Sequence, residues 1–319
     1  MAGVRTSREI VSNRIAVVAV FVALAIMLTP IYWIASTAFK PRNLATTIPP
    51  TVVFEPTVSP FVKLFTKRSQ LREQPSQEEY DAAPWWEKMV FDGGEKVVRN
   101  AKTGDVTLSG YGDRFTNSLI ISIVSTMLAV SMGTLTAYGF SRFKVAGEDD
   151  WLFFILSTRM LPPVVVAIPM FLMYRVVGLN DTHLGLIIDT AFNLSFSVWI
   201  MKGFIDEIPR EYEEAALVDG YTRMQAFFKV VLPEALTGMA ATAVFCFITA
   251  WNEYAFALIM TNRNAQTAPP YIPSQVGSGL PDWTVIAAGT LLFLIPVAIF
   301  TFLLRNHLLR GMSFGAIRK

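Results

Sequence analysis

The sequence predicts an all-α polytopic membrane protein, and three observations carry that prediction. Of its 319 residues 53% are hydrophobic, and the mean hydropathy is +0.44. Only 16% are charged, against about 25% in an ordinary soluble domain. The apolar residues also fall in runs of roughly 20 or more, the length that crosses a bilayer. Several of these runs are apolar on every face, which a soluble helical protein has no means of covering.

The same features exclude several function classes. A net charge of +2 gives no support to nucleic-acid binding, because the basic residues cluster beside the apolar runs instead. Cys246 is the one cysteine, so no intramolecular disulfide forms, and its apolar setting marks it as a small buried packing residue. His183, read as a loop residue, and His307, near the last apolar boundary, are far apart in sequence and give no metal site. HExxH, GxSxG and GxxxxGK[ST] are all absent, so neither catalytic residues nor ATP binding are expected in this chain.

Taken in order, residues 1–12 form a short basic tail with Arg5 and Arg8. The first span runs from about Arg14 to Phe39 and ends near Lys40-Pro41. It is too long for a signal-peptide core and has no small-residue cleavage site, so it reads as a retained helix. Arginines at its front put the N-terminus in the cytoplasm. Residues 41–113 are polar and lie outside: prolines favour extended chain at first, then one or two short amphipathic helices close at Gly93-Gly94. Trp85-Trp86 reads as an interfacial anchor or as part of a partner surface.

The second span, about 115–140, carries Ser125, Ala129, Gly133, Ala137 and Ser141, a small residue at every fourth position. Such a stripe lets a neighbouring helix approach closely in lipid, which is packing rather than chemistry. The third span, about 151–177, contains Arg159, Pro162-Pro163 and Pro169, and the proline pair bends it. The fourth, about 184–204, places Asp189 and Asn193 one turn apart on one face. The fifth, about 235–260, carries Trp251, Asn252, Glu253 and Tyr254. An irregular outer loop with Pro269-Pro270 and Pro273 precedes the last span, about 284–304, and a basic tail. The expectation is six spans with both ends cytoplasmic, divided as 1–40, 41–113, a core of 114–310 and a tail of 311–319.

Between the fourth and fifth spans lies Arg210–Pro233, REYEEAALVDGYTRMQAFFKVVLP, polar and helix-favouring. Pro209 suits a helix start, and Glu211, Glu213 and Glu214 suit the positive end of its dipole. Ala215-Ala216 leave a smooth surface for another body to approach. Gly220 supplies a stop or a left-handed residue that re-aims the chain. A second helix, about 223–231, turns Phe227, Phe228 and Val231 towards the membrane domain. The result is a helix–turn–helix foot.

Glu214-Ala215-Ala216, then Asp219-Gly220, then Val230, Leu232 and Pro233, resemble the EAA loop of the membrane subunits of binding-protein-dependent ABC importers. Val230 stands where that family often has Ile. RFTNSLIIS, STRMLPPVVVAIPMFLMY and WNEYAFALIM extend the resemblance to the sugar-importing, MalG-like branch, although the segment from about 69 to 110 is longer than that branch usually has. The resemblance implies a type I importer fold, a second permease subunit, two ATPase subunits that bind ATP and Mg, and a periplasmic solute-binding protein. In it the EAA loop couples to the ATPase, and the C-terminal GMSFGAIRK either reaches the ATPase dimer or anchors at the membrane face.

Ionisable groups inside spans usually face a cavity or a partner. Asn252 and Glu253, about two turns from the outer end of the fifth span, either hydrogen-bond sugar hydroxyls, with Trp251 or Tyr254 as an aromatic platform, or bond a neighbouring helix. Asp189 with Asn193, and Arg159, are open to the same two readings. An ion-coupled secondary transporter is the alternative, and Glu253 and Asp189 fit it loosely; it requires two related halves with broken helices, and no internal repeat is visible. An intramembrane enzyme lacks any nucleophile–base pair.

Overall fold

A computed structural model describes residues 7–193, 195–275 and 280–313, with side chains at 14–192, 195–275 and 280–305. Arg5, the side chains of Arg8, Asn193 and His307, and the tail from 314 lie outside the described residues. The chain divides into two compact units, residues 1–110 with 274–292 and residues 111–273 with 293–319.

The first unit contains helix α1 (Ser7–Ala38), whose apolar stretch Arg14–Ala38 is long enough to cross a membrane. Short helices α2 (Ser59–Phe65), α3 (Gln77–Ala82) and α4 (Trp85–Phe91) follow. Ser76 caps α3 by accepting the Glu79 N–H, and Gly94, at φ +73°, closes the segment after α4 as expected. Two three-residue strands, β1 (Arg68–Gln70) and β2 (Glu95–Val97), pair antiparallel with Arg68 opposite Val97. This strand pair was not foreseen, because three residues are too few to show a two-residue alternation. Trp85 is exposed.

The second unit is helical. Helix α5 (Tyr111–Arg142) is unbroken over 32 residues, and a third spanning stretch, Trp283–Arg305, lies in the last helix (Trp283–Ser313), of which residues 283–292 count with the first unit. Between them are three bent pairs. Helices α6 (Glu148–Ser157), extended by a 3-10 turn to Met160, and α7 (Pro163–Val177) meet at 93°. Helices α8 (His183–Asn193) and α9 (Phe196–Asp206) meet at 50°. Helices α10 (Arg210–Val218) and α11 (Arg223–Ala226) form the foot, a π turn (Phe227–Val231) and α12 (Leu232–Glu234) follow, and Arg223–Glu234 meets α13 (Leu236–Trp251) at 71°. Helices α14 (Ala255–Met260) and α15 (Ala268–Tyr271) are short, and the last helix is α16. Three single helices and three bent pairs make six spans if each pair crosses once.

Three expectations change in detail. The third span breaks rather than bends: Pro163 starts α7, where its missing N–H is harmless, and holds Pro162 in extended backbone at ψ 126°. The fifth span is also broken, at residues 252–254, so Asn252 and Glu253 sit at a helix junction and not within a continuous helix. Asn252 Nδ2 donates to Ile248 O at 2.7 Å, and Glu253 Oε1 accepts the Phe256 N–H at 3.0 Å. Glu253 takes over a bond that the interrupted backbone no longer makes at Phe256, while the Asn252 amide adds a second donor at Ile248 O, which also accepts the Asn252 N–H at 3.2 Å. His183 begins α8 instead of lying in a loop, and its Nε2 is 2.7 Å from Asn117 Oδ1.

The small-residue stripe does what its spacing predicts. Ser125, Ala129, Gly133, Ala137 and Ser141 are all buried on α5, which packs against α8, α9 and α13. Ser197 Oγ donates to Ala129 O at 3.0 Å, and a Cβ on Gly133 would collide with the Ser197 side chain. Gly133→Val should therefore destabilise the unit by about 1–3 kcal/mol, the cost of overpacking. Gly139→Ala on the same helix meets nothing and should be neutral or stabilising. Melting temperatures of the two variants in detergent check both statements.

Candidate functional site

The foot is built by two caps placed back to back. Helix α10 ends in a Schellman turn: Gly220, at φ +88°, donates to Leu217 O at 3.1 Å and Tyr221 N–H donates to Ala216 O at 3.0 Å. Thr222 then opens α11 with a capping box, taking the Gln225 N–H while Gln225 Oε1 takes its own N–H at 2.8 Å. The pattern T-x-x-Q is the sequence signature of that start.

A buried polar joint fixes the foot to α5. Glu213 is buried; Arg142 Nε pairs with its Oε1, and Tyr138 donates to its Oε2 at 3.0 Å. Arg142 Nη2 also donates to Ile208 O at 2.8 Å, and Arg210 Nη2 donates to Ser141 O at 2.7 Å. Beneath lies an apolar cluster of Ala137, Tyr138, Met201, Ile205, Ile208, Phe227, Val231 and Ala235.

Glu213 keeps its place in the acidic first turn of α10 and is in addition a buried ion-pair member. Two expectations change. Ala216 faces the body, because it lies three residues from Glu213 on one helix face, so only Ala215 leaves the outer side smooth. Phe228 points away from the body, at 55% exposure, while Phe227 and Val231 are buried. The outer face shows Tyr212, Glu214, Ala215, Val218, Asp219 and Gly220. Pro233 is exposed and Leu232 half-buried on the return from the foot.

A second feature is a cavity of 430 Å³. It brings together Arg159, Asp189 and Glu253, three of the ionisable residues singled out in the spans. Thr158, Ser195 and Thr249 line it as well, and their hydroxyls went unnoticed because such residues are common inside membrane helices. Asp189 is 1% exposed, and the Arg159 guanidinium lies 5.5 Å from the Phe196 ring centroid. Trp251 is not a platform: it stacks on Phe293 at 4.5 Å and Phe247 at 5.7 Å, and its Nε1 donates to Phe293 O at 3.0 Å. Asn252 and Tyr254 are exposed and are not among the lining residues. Cys246 is buried, and no metal-ligand cluster occurs among the described residues.

A polar clamp joins the turn before α8 to the segment after α14. Asp181, at φ 55°, accepts the N–H groups of Asn262, Arg263, Asn264 and Ala265 at 3.0–3.2 Å. Asn117 Nδ2 donates to Asn264 O and Gln266 O, each at 3.0 Å. Partial burial pushes the Asp181 carboxyl up, but the four N–H bonds outweigh it and hold the group below its ordinary 3.8.

Residues 127–314 match the profile of the binding-protein-dependent transport system inner membrane component. The chain belongs to this family. It is a multi-pass inner-membrane permease of the ABC importer class and a non-catalytic subunit. The permease is 28% identical to a probable ABC transporter permease, y4oR, of Sinorhizobium fredii, over 98% of this chain and 97% of that one. It is 34% identical to the trehalose transport system permease protein SugB of Mycobacterium tuberculosis, over 72% and 90% of the two chains. Its fold matches a crystal structure of a bacterial ABC transporter involved in import of the acidic polysaccharide alginate, with a TM-score of 0.68 at 18% identity over 96% and 99% of the chains.

The clamp carries a pH dependence whose sign follows from the lowered Asp181 carboxyl. Its stabilisation is present above pH 3.8 and is lost as pH falls through the depressed native value. Asp181→Asn should remove that dependence and speed amide exchange at residues 262–265, read by hydrogen exchange at neutral and acid pH.

Proposed function

We propose that this permease carries a sugar, polyol or sugar derivative, and that it forms the path with a second, unlike permease subunit. A periplasmic solute-binding protein would deliver the solute. Two ATPase subunits, holding ATP and Mg, would dock on the foot at the cytoplasmic face, where both chain ends also lie. The likeness to the trehalose permease SugB supports the carbohydrate class. The observation that carries the coupling role is the division of α10 into two faces. Glu213 is tied inward to Arg142 and Tyr138, while Glu214, Ala215 and Val218 face outward on the same rigid turn.

That arrangement is a lever. A push on the outer face reaches α5 through a charged hydrogen bond and an apolar cluster, with little soft material between. Helix α5 packs on α8, α9 and α13, and α8 carries Asp189 into the cavity. ATPase closure would thus bias the helices around the cavity between two arrangements. Arg159, Asp189 and Glu253, with the three hydroxyls, would offer the solute both donors and acceptors.

Glu214→Lys and Gly220→Pro should each lower uptake about tenfold or more, the scale of a lost interaction of roughly 1.4 kcal/mol, while the membrane domain stays folded by size exclusion. Full uptake with both variants sinks the coupling role. Glu253→Gln combined with Arg159→Gln should raise the solute concentration needed for half-maximal uptake. An unchanged concentration dependence removes these residues from the path.

A further inference from the structure

The unit formed by residues 1–110 and 274–292 holds a cavity of 660 Å³, within the size range of small-molecule sites. Three cationic side chains line it, Lys40, Arg42 and Lys63. Their counter-charges are unequally shared. Lys63 Nζ lies 2.9 Å from Glu95 Oε2, the same oxygen that Arg68 approaches at 2.8 Å, and Arg68 also reaches Asp282 at 3.4 Å. Arg42 is left at the margin, 3.7 Å from Glu95 and 4.0 Å from Asp282. Asp92, the one acid on the wall, is engaged by the Tyr80 hydroxyl at 3.0 Å.

Lys40 has no carboxylate partner among the described residues. It is 1% exposed, and its ammonium group lies 4.2 Å from the Trp33 ring centroid and 5.2 Å from that of Phe54. Aromatic faces attract a cation but carry no net charge. A buried cation without a counter-ion is among the costliest features a fold can keep. Lys40 also follows the apolar stretch Arg14–Ala38 by two residues, so the cavity sits where a spanning helix leaves the hydrocarbon and meets the headgroups.

We propose that this cavity binds an oxyanion, a carboxylate or phosphate group, with Lys40 as its counter-charge and the Arg42 guanidinium as the orienting donor. The Arg42 fork matches such a group in two-point geometry, and Lys40 supplies a point charge. The group belongs either to a soluble acid or to the headgroup of an anionic lipid. The site lies in a different unit from the foot and needs no part of the transport reading, so its failure and the failure of that reading are separately visible.

The test uses the full chain in nanodiscs of phosphatidylcholine. Thermal unfolding is followed while inorganic phosphate, and separately glucuronate, is titrated at constant ionic strength against chloride. The expected result is saturable stabilisation, with the midpoint moved about tenfold or more by Lys40→Met, the scale of one lost charge-assisted contact, and largely kept by Lys40→Arg. Arg42→Gln, a change at a partly exposed residue, should weaken binding in the same direction. A second set of nanodiscs contains phosphatidylglycerol, and native mass spectrometry counts retained lipid. Retained lipid that is lost in Lys40→Met, with the response to free phosphate abolished, supports the headgroup as source. A free-anion response that survives supports a soluble acid. No saturable response to phosphate, glucuronate or phosphatidylglycerol overturns the proposal, as do equal midpoints in the native chain, Lys40→Met and Arg42→Gln.

Discussion

The buried contact of Glu213 with Arg142 and Tyr138 is what the foot depends on. A carboxylate is not taken out of water without a charged partner and further hydrogen bonds. Here both oxygens are occupied, one by the Arg142 guanidinium and one by the Tyr138 hydroxyl. Arg142 also donates from Nη1 to Ser141 Oγ and from Nη2 to the Ile208 carbonyl, just before α10. One ion pair thus sets the end of α5, the approach to the foot and the rotation of α10. That rotation decides which residues of the permease face outward, and Glu214 does so because Glu213 does not.

A second constraint comes from the bilayer. Lipid offers no hydrogen bonds, so a broken span must satisfy its backbone locally. Two breaks in the second unit show how. Pro163 starts α7 where no N–H is needed, and Glu253 accepts the Phe256 N–H at the start of α14. The breaks of α6–α7 and α13–α14 also bring Arg159 and Glu253 to the 430 Å³ cavity, opposite Asp189 of α8. Glu253, which looks misplaced in an apolar run, is thus a partner for a helix end and a wall group of a cavity at once.

Much of this was legible beforehand. The spans follow from run length, the α5 interface from five small residues in register, and the foot from a proline, an acidic first turn and Gly220. The junction at 252–254 was not, because an apolar run flanking two polar residues reads the same whether the helix continues or stops. Nor was the stacking of Trp251 on Phe293, or the burial of Glu213 by a residue 71 positions away. The strand pair Arg68–Gln70 with Glu95–Val97 was too short to leave a pattern.

The sequence by itself determined the class of the molecule. Hydropathy and helix signals are local, and in lipid every backbone group must be paired within its own helix, so local information suffices to place the spans. It also determined the foot as a motif, because both of its caps are made by residues within five positions of each other. Only the tertiary structure decided which polar side chains meet. Arg159, Asp189 and Glu253 come from three separate spans, and Lys63, Glu95 and Asp282 from three distant segments. Such pairings depend on how helices rotate and where they break, and these are fixed by packing and ion pairing across distances that no local pattern encodes.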